Sequence, residues 1–117
     1  MRHEEESLQI NCVKWFSLQY PAYSTLLHHS PNGGRRNIRE ATRFKAMGTR
    51  AGFPDLALLV PKGGYHGLFI EMKAAKGRQS PEQKVFEKAL TAEGYKYIVV
   101  RSFAEFMAII NSYLNEI

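Results

Sequence analysis

Two short apolar runs joined by a glycine turn, with three ionisable groups gathered at one end, limit what this chain can fold into. The first run is Gly52-Phe53-Pro54-Asp55-Leu56-Ala57-Leu58-Leu59-Val60, and the second is Leu68-Phe69-Ile70-Glu71-Met72-Lys73. Between them, Lys62-Gly63-Gly64-Tyr65 is a hairpin signal. Folding about Gly63 or Gly64 pairs residues whose numbers sum to about 126 to 128, so Asp55 faces the segment Glu71 to Lys73. Glu71 and Lys73 are two apart in a strand, and both side chains leave the same face.

Such groups are costly to bury unless they are paired or bind a metal. Two carboxylates a few Å apart repel, and a hard divalent cation removes the repulsion while using their oxygens as ligands. A lysine beside them can hold a water or stabilise charge developing on a phosphate. A solvated Asp-Lys pair with a surface Glu is the bland alternative. The full setting, Gly-Phe-Pro-Asp and then Glu-Met-Lys, favours the site.

The net charge of +5 is not spread evenly. Arg35, Arg36, Arg39, Arg43, Lys45 and Arg50 share their segment with one acid, Glu40, so this segment carries the whole excess. Arg36, Arg39 and Arg43 fall at i, i+3 and i+7, one ridge of a helix. Arginine-rich clusters suit bidentate phosphate contacts, although a solvated helix face would show the same run. A second cationic loop, Ala74 to Gln79, carries Lys76 and Arg78.

In chain order, residues 4 to about 19 read as a first helix, with Leu8, Cys12, Trp15, Phe16 and Gln19 as its stripe and three glutamates at its head. Thr25 to His29 is a short strand, and Pro31 to Gly34 a turn. His28 and His29 are adjacent strand residues that point to opposite faces and so do not both chelate one ion easily. Residues 37 to 47 form a second helix closed by Gly48. Gly52, before the acidic strand, would let a phosphate approach the backbone. Ser80-Pro81-Glu82-Gln83 starts a third helix with a capping box and a proline at its first position, packed through Phe86, Ala89 and Leu90. Tyr95 to Val100 is the last strand. Ser102 to Glu105 is another capping box, opening a helix whose Phe106, Ile110 and Leu114 face inward. The order is αβαββαβα, an α/β fold with a mixed sheet flanked by helices.

Pro54-Asp55 followed by Glu71-Met72-Lys73 resembles the PD-(D/E)xK nuclease superfamily. Glu5 to Gln9, Pro31-Asn32-Gly33-Gly34-Arg35, Gly48 to Asp55 and Gln83 narrow the resemblance to the VRR-NUC domain, over nearly the whole chain. The resemblance implies a Mg2+- or Mn2+-dependent endonuclease acting on DNA, often branched, flapped or four-way junction DNA. It implies that Asp55, Glu71 and the Met72 carbonyl hold the cation, with Lys73 catalytic. Glu5 and Gln83 complete the shell, with Glu6 the fallback for Glu5, and Gln83 also has a full structural explanation as a cap. Asn32 and Arg35 are expected near the site, with Arg36, Arg39, Arg43, Arg50, Lys76 and Arg78 on DNA.

The remaining bounds agree. At 117 residues with 44% hydrophobic and 23% charged content, residues 1–117 read as one domain. A lone cysteine, Cys12, permits no internal disulfide, excludes a cysteine-based zinc site and fits a reducing cytoplasm. No long apolar run suggests a membrane span, and no small-molecule cofactor is expected. Cutting both strands of a junction needs two sites, hence a homodimer. The competing readings are a non-catalytic DNA-binding module and a non-specific or restriction-type nuclease. Carboxylates placed near phosphate argue against the first.

Overall fold

A computed structural model describes residues 2–31 and 37–115. Helix α1 (Arg2–Gln19) leads through a short 3-10 helix (Pro21–Leu26) into β1 (Leu27–His29), followed by α2 (Ile38–Ala46), β2 (Leu56–Leu58) and β3 (Leu68–Met72). Helix α3 (Pro81–Ala92), β4 (Lys96–Val100) and α4 (Phe103–Leu114) complete the chain. The expected strand from Thr25 is shorter than anticipated. Pro21, with its fixed φ, starts a 3-10 helix that runs to Leu26 and leaves three residues to pair.

The sheet runs β1-β2-β3-β4. Its first two pairings are antiparallel and the third is parallel. Leu56 pairs with Ile70, Ala57 with Phe69 and Leu58 with Leu68, so the hairpin register holds at a sum of 126. Gly63 and Gly64 both have positive φ at its tip, the conformation a tight two-residue turn asks for. Because β3 and β4 are parallel, α3 serves as the crossover between them.

Alternation sorts side chains onto two faces. Leu56, Leu58, Leu68, Ile70, Met72 and Val100 point to one face, where Cys12 and Phe16 of α1 and Phe106, Ile110, Tyr113 and Leu114 of α4 seal them. Burial pushes the Cys12 thiol up to about 12, so it packs and does not react. Ala57, Phe69 and Tyr97 point to the other face, with Leu90 of α3 and Phe53 beside them. Two expected packing positions are exposed: Gln19 at the end of α1, and Ala89 on α3, which lies one residue off the half-buried Leu90.

The caps follow the sequence closely. Ser80 and Gln83 form both halves of a capping box. Ser102 caps α4, but Glu105 reaches past it to accept from the Arg101 amide, at 2.7 Å. Helix α2 is capped by Asn37 and buries no residue. It begins at Ile38, so the basic ridge on it consists of Arg39 and Arg43, both exposed. Arg36, with Asn32 and Arg35, lies outside the described residues.

Candidate active site

Asp55 stands one residue before β2, where the backbone ladder with β3 stops. Its side chain takes over the next rung, as Oδ2 accepts from the Met72 amide at 2.7 Å. Met72 N–H therefore points toward β2, and in an extended strand the carbonyl of the same residue leaves by the same edge. Continuing the register puts Pro54 opposite, a buried residue with no N–H to offer that carbonyl. On the other side, the Asp55 carbonyl accepts from the Ser30 amide at 3.1 Å and from His29 Nδ1 at 2.8 Å.

Glu71, the residue across from Asp55, is wholly buried. Its Oε1 accepts from the Tyr97 hydroxyl and, at 3.3 Å, from Gln79 Nε2. The same Gln79 nitrogen donates to Glu87 Oε1 at 2.9 Å, so one amide ties α3 to the β3 carboxylate. Among the described residues, Glu71 Oε2 is buried with no hydrogen-bond partner. An unsatisfied carboxylate oxygen at such depth is costly, and a cation is the partner that its charge calls for.

The electrostatics agree with a crowded acidic pair. Burial raises the Asp55 carboxyl above its ordinary range, opposed by the Met72 hydrogen bond. The negative charges of Glu71 and Glu5 raise it further, and His29 lowers it. Glu5 is half-buried on the first turns of α1, whereas Glu6 is exposed, so helical phase turns Glu5 and not Glu6 toward Asp55. Burial and the bond to Glu71 push Tyr97 strongly up, which keeps its hydroxyl a proton donor. Among the described residues, no three His, Cys, Asp or Glu side chains converge as a ready metal cage. The oxygens gathered here that could hold a metal ion are those of Asp55, Glu71 and the backbone.

The surrounding residues are arranged unequally. Lys73 continues β3, its amide donating to the Val100 carbonyl at 2.9 Å, and its stem lies against the turn at Gly77. Gln83 Oε1 accepts from the Ser80 amide at 2.8 Å, so one of its two acceptor positions already serves the helix cap. Gly52 does not offer the open backbone expected of it. A Cβ there would stand 2.6 Å from the Glu82 carbonyl carbon and 2.8 Å from the Gln83 amide nitrogen, because the first turn of α3 fills that space. Lys76 and Arg78 are exposed on the loop after β3. Arg50 is exposed too, with Nη1 donating to the Lys45 carbonyl at 3.0 Å. Arg50 also lines an open cavity of about 470 Å³, with Phe44, Phe53, Phe86 and His28 among its walls.

Three participants escaped the sequence reading. Tyr97 and Gln79 hold Glu71, and Arg101 holds the turn after Lys73 by donating to the Ala74 carbonyl at 3.0 Å and the Gly77 carbonyl at 2.6 Å. Tyr97 was detectable only through the parallel register that sets β4 beside Glu71.

Comparison with known proteins bears on this geometry. The VRR-NUC domain family matches residues 1–104. A solved structure described as a VRR-NUC domain protein superposes with a TM-score of 0.82 at 32% identity, covering 94% of this chain and 87% of that one. A search of curated proteins finds no match. The four-stranded mixed sheet flanked by helices is thus a PD-(D/E)xK-like fold, and the module is of nuclease type.

Proposed function

Because the chain belongs to the VRR-NUC family, we propose that it is a divalent-cation-dependent DNA endonuclease, its 117 residues forming one nuclease domain. The observation that carries the proposal is Glu71, a wholly buried carboxylate with one oxygen held and the other unpartnered, next to an Asp55 whose charge is disfavoured by the same surroundings. Nuclease domains of this type ordinarily work with a divalent metal. Asp55, Glu71 Oε2 and the Met72 carbonyl fit Mg2+ or Mn2+, hard cations that prefer oxygen ligands. Such a cation supplies Lewis acidity at the scissile phosphate.

The chain's own groups do the rest. Lys73 positions the attacking water, takes its proton or stabilises charge growing on the phosphate. Glu5 and the side-chain amide of Gln83 border the site and orient water there. Arg39, Arg43, Arg50, Lys76 and Arg78 contact backbone phosphates away from the cut, joined by Asn32, Arg35 and Arg36 from the segment between β1 and α2. Branched DNA is the favoured substrate, the kind that the resemblance to VRR-NUC domains implies. Two copies would supply the two cuts of a four-way junction. Among the described residues, no helix is long and apolar enough to cross a membrane. The buried free thiol suits a reducing compartment, which we take to be the cytoplasm.

A panel of single-stranded, duplex, flapped and four-way DNA, with and without Mg2+ or Mn2+, tests the reading. Cleavage should require the cation and favour the branched forms. Asp55→Asn and Glu71→Gln should each abolish cutting while DNA binding survives or improves, because a negative charge facing phosphate is gone. Cutting at parental rates by both variants would refute the site. Binding without cutting by the parent protein on every substrate would instead favour a binding module.

A further inference from the structure

The carboxylate at the centre of the proposed site does not position itself. Glu71 lies on a strand buried on both faces, and its two oxygens are treated differently. Oε1 receives two donors, the Tyr97 hydroxyl from β4 and the Gln79 amide from the approach to α3. Oε2 receives none. A carboxylate with two donors on one oxygen cannot rotate without breaking both bonds, and its free oxygen is thereby aimed. Gln79 is itself anchored, since its nitrogen has two hydrogens and the second serves Glu87 on α3.

We propose that Tyr97 and Gln79 are positioning residues for Glu71, presenting Oε2 alone to a divalent cation, with Glu87 fixing Gln79. The inference rests on the cation-dependent reading above and deepens it. Tyr97 and Gln79 touch neither cation nor phosphate. They act through Glu71, as the hydrogen-bonding partners behind metal ligands commonly do. Tyr97 and Gln79 hold from two elements that the parallel sheet and the α3 crossover bring together, so the ligand's orientation depends on the β3-α3-β4 unit being formed.

The assignment separates from simple packing by what each variant does to cation binding. Tyr97→Phe keeps the ring and removes the hydroxyl, and Gln79→Met keeps volume at a half-buried position where folding is not at risk. Mn2+ titration by calorimetry, with melting curves taken with and without saturating Mn2+, reads both. Each variant should bind Mn2+ about 10- to 100-fold more weakly than the parent. The Mn2+-induced rise in melting temperature should shrink accordingly. Tyr20→Phe, which removes a hydroxyl bonded to Asn111 on the opposite face, is the control and should keep the full Mn2+ response. A purely structural role predicts the reverse for the test variants, a lower melting temperature without metal and an undiminished Mn2+ increment, and that result would overturn the inference. Should Tyr97→Phe fail to fold, Gln79→Met decides alone. If the parent protein binds no Mn2+, the cation reading fails and takes this inference with it. Strong Mn2+ binding by the parent and both variants removes only the inference.

Discussion

The two faces of the sheet are built from neighbouring residues of the same strands, yet they are unlike. Leu68, Ile70 and Met72 look into an apolar core closed by α1 and α4, while Phe69 and Glu71 look toward α3. On the first face the buried Tyr113 hydroxyl donates to the Val60 carbonyl at 2.6 Å, and the half-buried Tyr20 bonds Asn111. On the second, a buried carboxylate keeps one oxygen unpartnered among the described residues. The larger apolar core lies on one side of the sheet and the proposed site on the other, so the side proposed for chemistry can carry unfavourable groups without unfolding the domain.

Substitutions can break this division. The largest effect is expected on the sealed face. Phe106→Ala should lose about 3–5 kcal/mol in denaturant unfolding, because the fully buried ring leaves a cavity. Leu90→Ala on α3, half-buried, should lose clearly less. Equal losses would show that the two faces share one core.

A converse result is expected on the reactive face. Replacing Glu71 with Met together with Tyr97→Phe removes the unsatisfied oxygen and the hydroxyl that needed its neighbour. The double variant should be inactive and more stable by about 1–3 kcal/mol, the cost usually attached to an unsatisfied buried polar group. A loss of stability would mean that the network holds the fold together.

Asp55 gives a pH test of the same idea in metal-free protein. Its carboxyl is raised above the ordinary value of 3.8, so the folded state holds its proton more tightly than the unfolded chain. Stability should therefore fall as pH rises from that ordinary value through the raised one. Asp55→Asn keeps an acceptor for the Met72 amide and cannot ionise. It should melt higher than the parent at neutral pH, with the gap closing in acid. A gap that is constant with pH would assign the effect to packing.

Smaller effects belong to the rim. Arg101→Ala should cost about 0.5–1.5 kcal/mol and speed hydrogen exchange at the Gly77 amide, whose turn it braces. Smallest in stability, Arg39→Ala and Arg43→Ala on exposed positions should shift unfolding by less than about 0.5 kcal/mol. Each should flatten the salt dependence of DNA affinity by about one unit. An unchanged slope would reduce α2 to a solvated face.

Much of this division could be read before any coordinates. The hairpin register was legible because Gly63-Gly64 fixes the turn and the apolar runs fix the faces, which set Asp55 against Glu71. Caps were legible because Ser80 and Gln83 act within one turn of chain. What stayed hidden depends on contacts distant in sequence. Tyr97 reads as one more aromatic in a strand, and only its pairing across the parallel ladder makes it a donor to Glu71, 26 residues away. Gln79 sits in a loop whose cations draw the eye, yet it is the neutral member that reaches the carboxylate. Gly52 was read as an opening for phosphate, whereas its missing side chain makes room for another part of the protein.

That contact has a mechanical meaning. With the Glu82 and Gln83 backbone filling the space where a Cβ would be, the stem leading to Asp55 and the head of α3 meet main chain to main chain. Side chains can be exchanged on either surface without altering that spacing. The backbone position of Asp55, three residues on, and that of the helix carrying Gln83 and Glu87 are thus gauged against each other by a contact that most surface substitutions leave untouched. Any residue larger than glycine at position 52 would act as a shim, prying the acid away from the helix while changing none of the chemical groups between them.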